Sequence, residues 1–317
     1  MSCLYKGNII ETQLSKLSNG GTEMMRKRLK DNVDNDILQD FAIHFSRVRE
    51  IYSDVYNIFY AHDLANDPEN KILNNKGWKK FDHFVFVSEW QKQQYIDNFN
   101  IPHNKCSVIY NAIELPLNNL PKDTSSLKFI YHTTPHRGLE LLYPIFNSLA
   151  YHFPFISLDV YSSFKIYGWT QRDSIYKKLF TFIDKHPNMN YHGYQSNEEV
   201  LNALEHSHIF LYPCIWQETS CLAMIEAINS GCYIIHPDYG ALSETSQHAA
   251  RTTYHFYEDK IEHSKACYKE TYHILKEYER NNDYINNSIT KNSTNPFNIK
   301  EYKHKWEDIL IGIKNNG

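Results

Sequence analysis

The sequence predicts an α/β protein of two domains, on three observations. Short runs of β-branched and aromatic residues alternate with polar, helix-friendly stretches along most of the chain, the pattern of parallel sheets whose faces are covered by helices. The alternation breaks at "ELPLNNLPKDTSS", residues 114–126, where two prolines and polar residues show no periodicity and mark a linker. The 317 residues suffice for two domains at roughly 150 residues each. The expected division is a short Rossmann-like domain over 1–113, the linker, a second Rossmann-like domain over 127–296 and a closing helical segment over 297–317. A cleft between two such domains is the default ligand site.

In the first domain the candidate strands are "GNIIE", "FAIHF", "NIFYAHD", "FVFVSEW" and "CSVIYN", rich in the residues that suit a pleated surface. Helices are expected at Thr22–Lys30 and Trp90–Phe99. The second series of strands reads "LKFIYHT", "ISLDVYSS", "MNYHGY", "SHIFLYPC" and "CYIIHPD". Helices fall between these strands at 138–152, 172–186, 196–206 and 220–230. Residues 279–296 are asparagine-rich and aperiodic, a surface excursion around a helix end. Helical periodicity returns from Ile299 to Lys314 through Tyr302, Trp306, Ile309 and Leu310.

Composition narrows the function classes. A net charge of −4 provides no global basic field for nucleic acid. No apolar run approaches the roughly 20 residues of a membrane span, and "MSCLYKGNII" lacks the apolar core of a secretion signal. Six scattered cysteines without a CxxC pair read as reduced thiols, so a cytoplasmic protein is expected, and the formal glycosylation acceptors "NNS" and "NST" are discounted. The 24 tyrosines fit an AT-rich genome or a carbohydrate-binding surface. His132 and His136 stand at i, i+4 in "HTTPH", but the proline and the lack of a third ligand argue against a metal site.

The segment "PCIWQETSCLAMIEAINSG" carries Glu218 and Glu226 at the two ends of an apolar run. A helix is expected to open near Thr219 or Ser220, both favourable at a helix start, with Gly231 ending it. Helical rise would then put the two carboxylates about 12 Å apart along the axis. The free amides of residues 219–222 would offer an anion site. One reading is a core helix with solvated acidic ends. The other is a cradle with a carboxylate for sugar hydroxyls, amides for a diphosphate and a carboxylate for a ribose.

"ETSCLAMIEAINSGC", preceded by "IFLYP" and followed by "YIIHPDYGALSET", resembles the donor-site region of glycosyltransferase family 4. That resemblance implies the GT-B fold, a retaining mechanism and a nucleotide-sugar donor. In such proteins the first glutamate of E-x7-E contacts the transferred sugar and the second the ribose, positions held here by Glu218 and Glu226. "FDHFVFVSEWQKQQYIDNFNIPHNKCSVIYNAIE" resembles the end of the family's first domain, with Ala112 where a glycine is usual, and "KFIYHTTPHRGLELL" the start of its second. Arg137 fills the place of the basic residue before the glycine, a forked donor suited to a diphosphate. His132 stands where many members have a second arginine, and Thr133 and Thr134 could supply hydroxyls instead.

The same resemblance implies further site residues. "NGGTE" places Gly20 and Gly21 at a loop facing the diphosphate, where glycine admits close approach. His62, in "FYAHDLANDPE", matches a histidine near the transferred sugar, with a structural contact to Asp63 as the competing role. Gly193 and Tyr194 of "HGY" fall near the nucleobase, and Thr219, Ser220, Cys221 and Leu222 line the amide nest. "YKHKWEDIL" resembles the closing helix that packs back on the first domain. The likeness covers most of residues 55–245, and the first 55 match poorly.

The activity that this resemblance implies is hexose transfer from a UDP- or GDP-sugar to an acceptor hydroxyl on a carbohydrate, glycolipid or glycoprotein. Arg137 and the helix amides would stabilise charge on the leaving diphosphate, Glu218 and His62 would attend the sugar, and no metal cofactor would be needed. Alternatives are a catalytically silent nucleotide- or carbohydrate-binding protein, another GT-B enzyme such as a phosphorylase or epimerase, or an enzyme acting on nucleic acid, against which the net charge speaks.

Overall fold

The computed structural model describes residues 2–11, 18–114, 122–123, 125–290 and 296–316. Most of the expected linker, residues 115–121 and 124, lies outside them. Two compact units result: residues 1–114, 218–220 and 296–317 form one, and residues 115–217 and 221–295 the other.

The first unit begins with β1 (Ser2–Tyr5) and β2 (Asn8–Glu11), followed by α1 (Gly21–Asn32), α2 (Asn35–Leu38), β3 (Phe41–Phe45) and β4 (Tyr56–Tyr60). Next come β5 (His83–Phe86), α3 (Glu89–Phe99) and β6 (Cys106–Val108). Its sheet runs β2-β1-β3-β4-β5-β6. From β3 to β6 the pairing is parallel, as the alternation predicts. "GNIIE" is the exception, because it pairs antiparallel with β1, which itself pairs antiparallel with β3. The two-residue turn Lys6-Gly7 has positive φ at both positions, the geometry that closes a tight hairpin. A Cβ at Gly7 would also lie 2.2 Å from Asn35 Oδ1, so the asparagine side chain would have to move aside.

Alternation along β4 divides the core. Ile58 and Tyr60 join Met25 and Leu29 of α1 and Tyr302, Trp306 and Leu310 of the closing helix (Ile299–Asn316) on one face. Phe59 joins Phe84, Phe86 and Tyr95 on the other. That helix therefore completes the first unit, with Trp306 fully buried edge-on to Tyr60 at 4.9 Å. α3 begins at Ser88, whose hydroxyl caps the Gln91 N–H.

In the second unit the elements are β7 (Leu127–Tyr131), α4 (Leu139–His152), β8 (Ile156–Val160), α5 (Lys177–Asp184), β9 (Met189–Tyr191), α6 (Asn197–Glu205), β10 (Ile209–Leu211) and α7 (Leu222–Asn229). They continue through β11 (Tyr233–Pro237), α8 (Leu242–Thr245), β12 (Arg251–Tyr254), α9 (Lys260–Arg280) and α10 (Tyr284–Thr290). All neighbours pair in parallel, in the order β12-β11-β10-β7-β8-β9. Numbered within the unit this is 3-2-1-4-5-6 read from the β9 edge, the doubly wound order of dinucleotide-binding sheets.

Three expectations need correction. β12 carries no strand signal in the sequence, because "RTTY" lacks an apolar run and only Tyr254 of it is buried. The helix expected over 172–186 is α-helical only from Lys177 to Asp184, behind a 3-10 turn at Thr170–Tyr176. Within the supposed surface excursion α10 forms, because Ile285 and Ile289, one turn apart, are both buried.

Removing the Trp306 indole should empty the first unit's core. We expect Trp306→Ala to cost about 3–5 kcal/mol, read as a lowered denaturant midpoint at unchanged slope.

Candidate functional site

In a doubly wound sheet, ligands bind outside the carboxyl ends of the strands where the order reverses. Here the reversal lies between β7 and β10. The loops leaving these strands, residues 132–138 and 212–221, hold Thr133, Thr134, Arg137 and Cys221 of the sequence-predicted site residues. Both loops are knit together: Ile215 N–H donates to the Arg137 carbonyl at 3.2 Å. Gly138 has φ +133°, and a Cβ there would lie 2.2 Å from the Pro213 carbonyl oxygen. No other residue fits that approach.

Five buried side-chain atoms with no hydrogen-bond partner among the described residues fall within positions 132–136. They are both ring nitrogens of His132, the hydroxyls of Thr133 and Thr134, and Nδ1 of His136. An unsatisfied buried polar group costs about 1–3 kcal/mol, and native structures leave few. A concentration of them at a switch point is what a site for an oxygen-rich ligand requires. Arg137 closes the 3-10 turn Pro135–Arg137, its N–H donating to the Thr134 carbonyl at 3.2 Å.

The two histidines diverge. The His132 side chain, 3% exposed, packs on Phe210 and turns Nε2 toward Glu226 Oε2 at 3.6 Å. His136 stacks near-parallel on Phe164 at 5.2 Å and meets Trp216 edge-on at 4.9 Å. Burial, then the charges of Arg137 and Arg172, hold its pKa down to about 4, so it is neutral at pH 7.

α7 begins at Leu222, not at Thr219 or Ser220. Residues 218–220 belong to the first unit. Thr219 Oγ1 donates to the His62 carbonyl at 3.0 Å, and Ser88 Oγ donates to the Thr219 carbonyl at 2.7 Å. These bonds engage Thr219 at its hydroxyl and its carbonyl and override its capping preference. The chain then turns at Cys221, a non-glycine residue at φ 82° and ψ 80°, a conformation L-residues adopt only under strain. The first-turn amides that lack an intrahelical acceptor are accordingly those of Leu222, Ala223 and Met224, one turn later than expected. The 12 Å rise estimated for the two glutamates does not apply, since Glu218 is not on the helix.

Neither glutamate is a solvated helix end: Glu218 and Glu226 are each 5% exposed. Glu226 accepts a hydrogen bond from Asn197 Nδ2 at 3.0 Å on Oε1, while His132 stands beside Oε2. Sequence reasoning misses Asn197. Its signal lies in "SNEEV": Ser196 caps α6 in a capping box with Glu199, which fixes Asn197 in the first turn, but nothing local says that it reaches residue 226. Gly193, at φ +65°, and Tyr194 follow β9 at the same carboxyl edge of the sheet. Tyr194 lies under Lys165 Nζ at 5.3 Å. Beside them His192 bonds Asp159 Oδ1 at 2.8 Å and stacks on Tyr161 at 4.4 Å.

In the first unit, Gly20 caps α1 without a side-chain bond and Gly21 opens it, so both sit at first-turn amides of a 12-residue helix. His62 follows β4. Its backbone N–H and that of Asp63 both donate to Ser46 Oγ, at 2.7 and 3.1 Å, and Ser46 adopts φ 58° to receive them. The His62 ring packs against Phe45 and Tyr60 at 5.9 and 4.2 Å, and its buried Nε2 has no partner among the described residues. Asp63 faces Arg47 Nε at 3.4 Å, so no Asp–His cap accounts for His62. Burial drives the His62 pKa down to about 3.

Among the described residues, no group of three or more His, Cys, Asp or Glu could hold a metal ion, and no helix is long and apolar enough to cross a membrane.

The family model described as Glycosyl transferases group 1 matches residues 118–291. Comparison with curated proteins finds no match. Among solved structures, the chain is similar to the pneumococcal O-GlcNAc transferase GtfA in complex with UDP and GlcNAc, at 14% identity and TM-score 0.61, over 82% of this chain and 53% of that one. It is similar to a glycosyltransferase from Rickettsia africae ESF-5 at 15% identity and TM-score 0.65, over 97% and 83% of the two chains. A third is Anabaena HepE in complex with UDP and glucose, at 13% identity and TM-score 0.62, over 81% and 72%. The chain thus spans about half the length of the pneumococcal protein. At these identities the likeness is one of fold, and the fold is GT-B.

Two outcomes are expected from the strained turn and the buried imidazole. Cys221→Gly should be more stable than Cys221→Ala by about 1 kcal/mol in chemical denaturation, reversing the usual Ala-over-Gly order. A His62 pKa of about 3 in the fold against about 6.5 unfolded means its contribution is complete above pH about 6.5 and lost as pH falls toward 3. Denaturant midpoints of His62→Gln should therefore decline less steeply over that window than those of the wild type.

Proposed function

The chain belongs to the family of glycosyl transferases group 1, and on that premise we propose that it moves a hexose from a nucleoside diphosphate sugar to an acceptor hydroxyl with retention at the anomeric carbon, in the manner of family 4. The observation that carries this reading is the concentration of unsatisfied buried polar atoms at 132–136 together with the buried carboxylate of Glu226 at one switch point. Phosphate oxygens and pentose hydroxyls are the groups such a lining would satisfy.

Each residue then has a task. Cleavage of the bond between the sugar and the diphosphate places negative charge on the departing phosphate. Arg137, the hydroxyls of Thr133 and Thr134 and the amides opening α7 at Leu222 meet that charge in a preformed site, with the amides opening α1 at Gly20 and Gly21 as a second group. Glu226 accepts from the ribose, and Gly193 and Tyr194 border the nucleobase. Glu218 orients the sugar. His62, neutral at pH 7, exchanges a hydrogen bond with a sugar hydroxyl and carries no charge. Charge neutralisation by these groups leaves no step that calls for a metal. The UDP found in the pneumococcal and Anabaena structures favours UDP over GDP as the nucleotide, and soluble, cytoplasmic action is part of the same proposal.

The reading is tested by thermal shift against UDP, GDP and ADP, paired with kinetics of donor hydrolysis. At a hundred times its Kd the true nucleotide stabilises the fold by about 2.7 kcal/mol, and Glu226→Ala should shrink that shift. Arg137→Ala should lower kcat/KM by about 100-fold, and the released sugar, followed by NMR before it mutarotates, should keep the donor's configuration. A clean fold that no nucleotide stabilises would sink the donor site, and an inverted product would sink the retaining mechanism.

A further inference from the structure

We propose that Asn197 is a positioning residue, one that fixes the carboxylate plane of Glu226 and thereby sets how strongly the site distinguishes a ribonucleotide from its deoxy counterpart. The proposal rests on the reading of Glu226 as the pentose ligand.

The argument begins with the cost of the carboxylate. Glu226 is 5% exposed, and a buried charge must be met by donors. Asn197 Nδ2 gives Oε1 a hydrogen bond of 3.0 Å. His132 Nε2, at 3.6 Å from Oε2, is too far for a hydrogen bond but closes that side of the carboxylate. A carboxylate offers about four lone-pair sites, so one bond on Oε1 leaves acceptor capacity on both oxygens. A vicinal diol, with two donors at fixed spacing, needs those oxygens in one orientation, and a lone glutamate side chain has three rotatable bonds with which to lose it.

Asn197 is otherwise spare. α6 is capped without it, since Ser196 Oγ accepts from Glu199 N–H at 3.2 Å and Glu199 Oε2 accepts from Ser196 N–H at 3.1 Å. Asn197 itself is exposed at the first helical position. The amide therefore serves a carboxylate 29 residues away and contributes nothing to its own helix that Ser196 and Glu199 do not supply. His132 shows the complementary state: both its ring nitrogens are buried without a hydrogen-bond partner among the described residues, so a hydroxyl arriving at Oε2 would meet an imidazole nitrogen as well.

The test is calorimetric, with UDP and with 2′,3′-dideoxy-UDP as probes and the GDP pair in parallel. Wild type should prefer the ribonucleotide. Asn197→Ala and Asn197→Asp should cut that preference by about tenfold, leave the affinity for the dideoxy compound unchanged and lower Tm by a few degrees, since the buried carboxylate loses a donor. Glu226→Gln is the control for the underlying reading. If it also leaves the ribo-to-dideoxy ratio intact, or if neither nucleotide binds the wild type, the pentose role of Glu226 is wrong and Asn197 falls with it. Should Glu226→Gln abolish the ratio while both Asn197 variants keep it, only the positioning role is overturned. Equal weakening of both probes by the Asn197 variants would mark a structural residue and overturn the proposal too.

Discussion

The approach of the Gly138 backbone to the Pro213 carbonyl is the contact on which the second unit's site depends. It sets the loop after β7 against the loop after β10, and the Ile215–Arg137 backbone bond locks the pair. Parallel pairing of β7 with β10 brings the loops to one edge, but pairing alone leaves room for a side chain between them. With glycine at 138 that room is gone, and Arg137, the two threonines and the α7 amides are presented from adjoining backbone. Backbone held in this way keeps its dipoles fixed relative to one another.

A second constraint falls on Thr219. Ser88 and His62 hold Thr219 at its carbonyl and its hydroxyl, and the helix that could have begun there is delayed to Leu222. Strain appears where this happens: Cys221 and Ser46 are both non-glycine residues at positive φ, one at the turn into α7, the other receiving the amides of His62 and Asp63. Positions of this sort persist only where their surroundings over-determine them, and here those surroundings are named hydrogen bonds.

Much of the architecture is legible in the sequence because its signals are local. Strands announce themselves through β-branched and aromatic runs, and α6 through its Ser196–Glu199 box. The hidden parts depend on partners far off in sequence. β2 reads as ordinary strand material and β1 goes unread, and only the pairing of β1 with β2 and β3 makes them an antiparallel edge. α10 hides in asparagines because its helical evidence is two isoleucines whose burial is tertiary. The site divides the same way. Glu218, Glu226 and Arg137 stand out by residue type and spacing, while the side chains that meet the Glu226 carboxylate are Asn197 and His132, which no periodicity links to it. The start of α7 is misread from sequence for the same reason: Thr219 and Ser220 are good caps, and Thr219 is engaged instead by bonds that no local pattern shows.

The closing helix carries one more consequence, for the order in which the molecule can be made. Trp306, Tyr302 and Leu310 fill the same core as Met25 and Ile58, and residues 218–220 also belong to that unit. During synthesis the strands of the first unit leave the ribosome well before residues 299–316, so until those emerge their shared face is packed by α1 but not by Tyr302, Trp306 and Leu310. The other unit suffers no such delay, since its own sequence is contiguous apart from one tripeptide. Vectorial synthesis thus leaves the second unit free to mature while the first still lacks its closing helix.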